Sequence, residues 1–239
     1  MAKNAYLQDE QRVTLAEDFL LALQDTKFHN DTTAEEIASE INEHLTTLKA
    51  WKEQEAQASR MSDADAVLDA CFQGLASHIE AIQRKAFVKG EEHTYNQSKA
   101  VQKKLFPKGI SAIIELPYKA EAAQTQAFLR DAKDSQVVDF LQAHQLEEWL
   151  TLFETSHQDY ILALNEFHGS KEERKAVSEQ ASVARKHLDK TFTRFLRYTR
   201  AKYPDGHALA PWRQEHIEAP LERAEAAALA LRKPRTPKK

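Results

Sequence analysis

Asp139-Phe140-Leu141-Gln142-Ala143-His144-Gln145 is anticipated earlier in the chain by Asp18-Phe19-Leu20-Leu21-Ala22-Leu23-Gln24, which matches it at five of seven positions. A second echo lies at nearly the same offset: Ser62, Ala64, Leu68, Asp69 and Phe72 recur as Ser182, Ala184, Leu188, Asp189 and Phe192. Self-similarity at long period sets architecture before any single residue does. Two echoes at half the chain length predict a helical module present twice.

Composition points to helices. Of 239 residues only five are glycine and seven proline, against abundant Ala, Leu, Glu, Gln and Lys. No apolar run is long enough to span a bilayer. Met1-Ala2-Lys3-Asn4-Ala5 runs into polar residues and lacks the apolar stretch of a secretory signal. A single cysteine, Cys71, forbids a disulfide within one chain and fits a reducing, cytoplasmic setting.

Apolar residues recur at helical spacing along most of the chain. The first predicted helix covers residues 6–28. Asp31-Thr32-Thr33 supplies capping oxygens for a second, with Ile37, Ile41, Leu45, Leu48 and Trp51 on one stripe. Ser62-Asp63 is expected to open a third, which stops near Gly90. Residues 91–109 are weakly patterned and end in the turn Phe106-Pro107-Lys108-Gly109. Ile110 to Leu116 is too short to classify by period, and a brief strand is conceivable there.

The pattern then resumes. Residues 118–144 read as a helix with a break near Asp134-Ser135. The clearest stripe follows, with Leu146, Trp149, Leu150, Phe153, His157, Tyr160, Ile161 and Leu164, closed by Gly169. Ser170-Lys171-Glu172-Glu173 has the form of a capping box for a helix running to Lys202. Residues 213–232 make a last helix, and 232–239 a basic, disordered tail. The expected fold is all-α, an antiparallel helical bundle of two similar halves with about three long helices each. Its domains are 1–109, 110–231 and the tail 232–239. Gly74 lies inside a helix, where a close helix crossing is one explanation for it and drift another.

Leu146-Glu147-Glu148-Trp149, Asn165-Glu166-Phe167, Leu188-Asp189-Lys190-Thr191-Phe192 and the Leu105-Phe106-Pro107-Lys108-Gly109 turn resemble an uncharacterised family of bacterial all-helical proteins with paired bundle repeats. The resemblance implies the repeated helical fold and brings no activity with it.

Charge alternates along the chain. Residues 1–80 carry −10, residues 81–108 +5, residues 109–182 −7 and residues 183–203 +6, within a total of −4. Two readings compete for the last block. Cations near a helix C-terminus meet the negative end of the dipole and acidic neighbours. Alternatively Lys186, Lys190, Arg194 and Arg197, extended by Arg185, Arg200 and Lys202, form one stripe that meets an acidic protein surface or nucleic acid phosphates.

Catalytic signatures are missing. There is no glycine-rich phosphate cradle and no nucleophile elbow, and Cys71 sits on an apolar helix face. A carboxylate-bridged metal bundle needs two Glu-x-x-His pairs. Glu154-Thr155-Ser156-His157 is one, but Glu40, Glu43 and His44 supply no second. No helix pairs a cationic face with an uncommitted apolar one, which argues against membrane binding. The sequence thus favours a non-enzymatic, cofactor-free scaffold for a protein partner or for itself. Nucleic acid binding and metal binding are the alternatives.

Overall fold

The structure, a computed structural model, describes residues 7–167 and 171–231. Among these every regular element is helical: α1 (Asp9–Leu23), α2 (Thr32–Lys89), α3 (Glu92–Leu105), α4 (Ser111–Ile114), α5 (Tyr118–Ala132), α6 (Ser135–Ala143), α7 (Glu148–Glu166), α8 (Lys171–Lys202), α9 (Ala210–Arg213) and α10 (Ala219–Ala230). A short 3₁₀ turn, Thr26–Phe28, follows α1, and a π-helical turn, Gln214–Glu218, joins α9 to α10.

Local chemistry explains most boundaries. Asp31 caps α2 by accepting from the Ala34 N–H at 3.1 Å, and Asp134 caps α6 by accepting from Gln136 N–H at 3.1 Å. Both caps match the sequence expectation. Gly90, with φ at 70°, ends α2 in the left-handed region that glycine enters without a Cβ penalty.

Three expectations need correction. The second and third predicted helices are one: α2 runs unbroken from Thr32 to Lys89, because residues 52–60 contain only good helix formers and no Gly or Pro. Ser62 therefore sits in mid-helix. The segment around Ile113 is one helical turn rather than a strand. The last helix is divided, since Pro220 has no N–H to give to the turn before it, and the backbone widens at Gln214–Glu218. Ser170, Gly169 and the tail 232–239 lie outside the described residues.

The chain forms two compact units. Met1–Gln54 together with Gly169–Lys239 make the first, and Glu55–His168 the second. They divide inside α2 and after α7, not at the Phe106–Gly109 turn, which lies within the second unit. The reason is packing: each unit owns a separate apolar core. The first is built on Leu15, Phe19, Ile37, Ile41, Leu48, Leu188, Phe192 and Phe195, all fully or almost fully buried. The second is built on Leu68, Phe72, Leu75, Phe128, Phe140, Phe153 and Tyr160. Phe72, Phe128 and Phe153 meet with centroids 4.6–5.0 Å apart, a tilted and edge-on cluster suited to the ring quadrupole.

Gly74 faces the indole of Trp149. A Cβ at that position would lie 2.8 Å from Trp149 Cζ3 and closer still to Cη2. The close-crossing explanation for this glycine is the correct one.

Candidate charged surface on α8

α8 presents its apolar side, Leu188, Phe192 and Phe195, to the first core, which turns the intervening cations outward. The seven cations picked out in the sequence then separate into two groups.

Four are committed inside the first unit. Arg185 forks onto Asp9, with Nε at 2.8 Å and Nη2 at 2.6 Å, and lies over the Trp51 ring. Arg194 bridges two acids one turn apart on α2: Nη1 donates to Glu40 at 2.6 Å and Nη2 to Glu36 at 2.8 Å. Arg200 donates to Glu218 at 2.6 Å. Lys202 pairs with Asp31, and its ammonium lies 5.1–5.7 Å from the ring centroids of Phe28, Tyr198 and Tyr203.

Asp31 therefore does three jobs, as helix cap, ion-pair partner of Lys202 and acceptor for the Tyr198 hydroxyl. Burial alone would raise its carboxyl, but the hydrogen bonds from Lys202, Tyr198 and the Ala34 N–H outweigh that and bring it down to about 2.

The other three, Lys186, Lys190 and Arg197, are exposed and have no ion-pair partner among the described residues. Spacings of four and seven residues keep them within a narrow angular strip of the helix, about 6 and 10 Å apart along its axis. They make an uncompensated cationic ridge beside a compensated one.

The sequence gave no sign of Arg12. It is nearly buried, and its guanidinium holds Asp189 with Nε and Nη2 each at 3.0 Å while also donating to the Leu7 carbonyl. Burial pushes the Asp189 carboxyl up, and the Arg12 fork opposes it. A lone arginine in an apolar stripe was the available signal.

A second polar cluster, also unforeseen, lies in the core of the second unit. Glu121 on α5 is fully buried. The Tyr160 hydroxyl of α7 stands 3.1 Å from Glu121 Oε2 and 3.1 Å from the Tyr118 carbonyl. Glu121 Oε1 and Asp69 Oδ1 are buried without a hydrogen-bond partner. Burial above all, with Asp65 and Asp69 adding like charge, pushes the Glu121 carboxyl up to about 8, against the opposing Tyr160 hydrogen bond.

The metal alternative finds no constellation. Glu154 pairs with Lys133 at 2.8 Å, while His157 is kept neutral by burial. Glu40 is taken by Thr191 and Arg194, and His44 stacks on His187 with centroids 4.8 Å apart. Among the described residues no three His, Cys, Asp or Glu side chains could hold a metal ion. Cys71 is buried with its Sγ 3.5 Å from Ser156 Oγ. No described helix is long and apolar enough to cross a membrane. Comparison with family models, curated proteins and solved structures found no match for this chain.

Proposed function

We propose that the chain is a non-enzymatic helical scaffold, working in the cytoplasm, that binds a protein partner through the ridge of Lys186, Lys190 and Arg197. One observation carries this reading. Of seven cations on α8, four are neutralised by Asp9, Asp31, Glu36, Glu40 and Glu218, yet these three are left unpaired in a row. A partner of matching chemistry offers carboxylates at helical-turn spacing, and the charge governs its encounter rate and orientation more than its affinity.

The scaffold itself is read as a duplicated module in an antiparallel bundle. In support, both echoes supply core residues: Phe19 and Phe140 are fully buried, as are Leu68 with Phe72 and Leu188 with Phe192. The first core takes Phe19 from the earlier copy and Phe192 from the later one, and the second core takes the complementary pair. On this reading each copy contributes to both cores.

The test is co-purification of the full chain from its native host, compared with a Lys186→Glu, Lys190→Glu, Arg197→Glu variant. A protein captured by the wild type and lost by the variant, at an unchanged melting temperature, supports the scaffold. Salt-dependent retention on DNA or RNA that the same variant abolishes would transfer the ridge to nucleic acid.

A further inference from the structure

We propose that Glu121 is a proton-binding site that holds the second unit closed, so that this unit loosens as the solution turns alkaline. The inference concerns the core of the second unit and is independent of the ridge on α8.

The hydrogen-bond geometry is the starting point. Tyr160 has one hydroxyl proton, yet two acceptors stand 3.1 Å from its oxygen: the Tyr118 carbonyl and Glu121 Oε2. With Glu121 ionised the phenol can satisfy one of them fully, and Oε1 has no donor at all. A neutral Glu121 removes the conflict. Its own proton goes to the phenol oxygen or to Asp65, and the phenol keeps its proton for the Tyr118 carbonyl.

The surroundings favour the same state. The groups acting on Glu121 are Asp65 and Asp69 from α2 and Tyr160 from α7, with no cation among them. Asp65 makes a side-chain hydrogen bond with it, which two carboxyls can do only if one carries a proton. His157, also on α7, is kept neutral by burial and leaves Nδ1 without a partner. Glu121 itself is fully buried between α5 and α7, beside the core residues Ala122 and Phe128. Losing its proton therefore places a bare charge where α5 and α7 pack, and the low-cost response is to part those helices and admit water.

The sign is fixed by the raised carboxyl, at about 8 in the folded unit. Protons bind the folded unit more tightly than the unfolded chain, so stability falls as pH rises through the range between the two values. The wild type thus spends neutral pH mostly latched and alkaline pH mostly released.

Hydrogen exchange by mass spectrometry on the full chain from pH 7.0 to 9.5, corrected for intrinsic exchange, tests this. Peptides from α5 and α7 are expected to lose protection by on the order of tenfold or more relative to peptides from α1 and α8 of the other unit. Glu121→Gln, which imitates the neutral acid, should remove that difference. Should this variant not fold, carbon-13 titration of the glutamate carboxyls in the wild type decides, with one carboxyl expected to titrate above pH 7. The proposal is overturned if α5 and α7 track α1 and α8 throughout, if Glu121→Gln keeps the wild-type pH response, or if every glutamate titrates below pH 6.

Discussion

Trp149 occupies the space where a side chain on Gly74 would stand, with its Cζ3 2.8 Å from the position of a Cβ there. His78, one turn along α2, meets the same indole edge-on at 5.5 Å. The ring is thus held by two neighbours and cannot simply swing away. Gly74→Ala gains about 1 kcal/mol of helix propensity but forces a rigid ring to move, at a typical overpacking cost of about 1–3 kcal/mol. Net destabilisation is expected in urea unfolding. Adding Trp149→Leu should make the alanine less costly, and the cycle of single and double variants measures the coupling.

Phe19 on α1 and Phe192 on α8 touch edge-on, with centroids 5.3 Å apart, although they come from distant parts of the chain. Both are fully buried. Phe192→Ala is expected to cost about 3–5 kcal/mol, read as a fall in melting temperature. Phe195, which also contacts Phe19 at 5.0 Å, should behave alike.

The Arg12–Asp189 pair predicts an asymmetry between single and double changes. Asp189→Ala leaves a guanidinium nearly buried without its main partner and should cost about 3–5 kcal/mol. Replacing both partners, as Arg12→Met with Asp189→Leu, should recover most of that loss. Chemical denaturation of the three variants provides the check.

Acid should weaken the first unit through Asp31. Its folded carboxyl sits at about 2, below the ordinary 3.8, so its stabilisation is present above pH 4 and is lost as pH falls toward 2. Solvent screening at this partly exposed site limits the effect to about 1–2 kcal/mol. Asp31→Asn should flatten the melting temperature between pH 4 and 2 while lowering it at pH 7.

Charge reversal on α8 should divide by partner. Arg197→Glu is expected to change stability by about 0.5 kcal/mol at most. Arg194→Glu places a third acid against Glu36 and Glu40 and should cost about 1–2 kcal/mol. The sequence alone treats the two arginines as equivalent, and thermal melts of the single variants separate them.

That equivalence shows where sequence reading stops. Caps were legible because Asp31 and Asp134 act on backbone two or three residues away. Gly74 stood out as a helix-interior glycine, but its partner lies on another helix and left no local trace. The length of α2 was missed because a change in the apolar pattern near Trp51 resembled an ending, while the residues there are all compatible with a helix. α3 was weakly patterned because only Ser98, Val101 and Leu105 along it are buried. The α8 stripe was visible as charge, but its division into paired and unpaired cations depends on Asp9, Asp31, Glu36, Glu40 and Glu218, which come from four other segments. Glu121 was hidden for the converse reason, since nothing local marks a glutamate that faces inward.

The first unit is assembled from segments on either side of the second. As the chain leaves the ribosome, residues 55–168 emerge as one continuous stretch and can collapse while translation proceeds. Phe19, Ile37, Ile41 and Leu48 have already appeared by then, yet must wait for α8 to cover them. The nascent protein therefore carries a bare oily surface through more than a hundred residues of synthesis, which makes its N-terminal helices the natural stopping place for a chaperone.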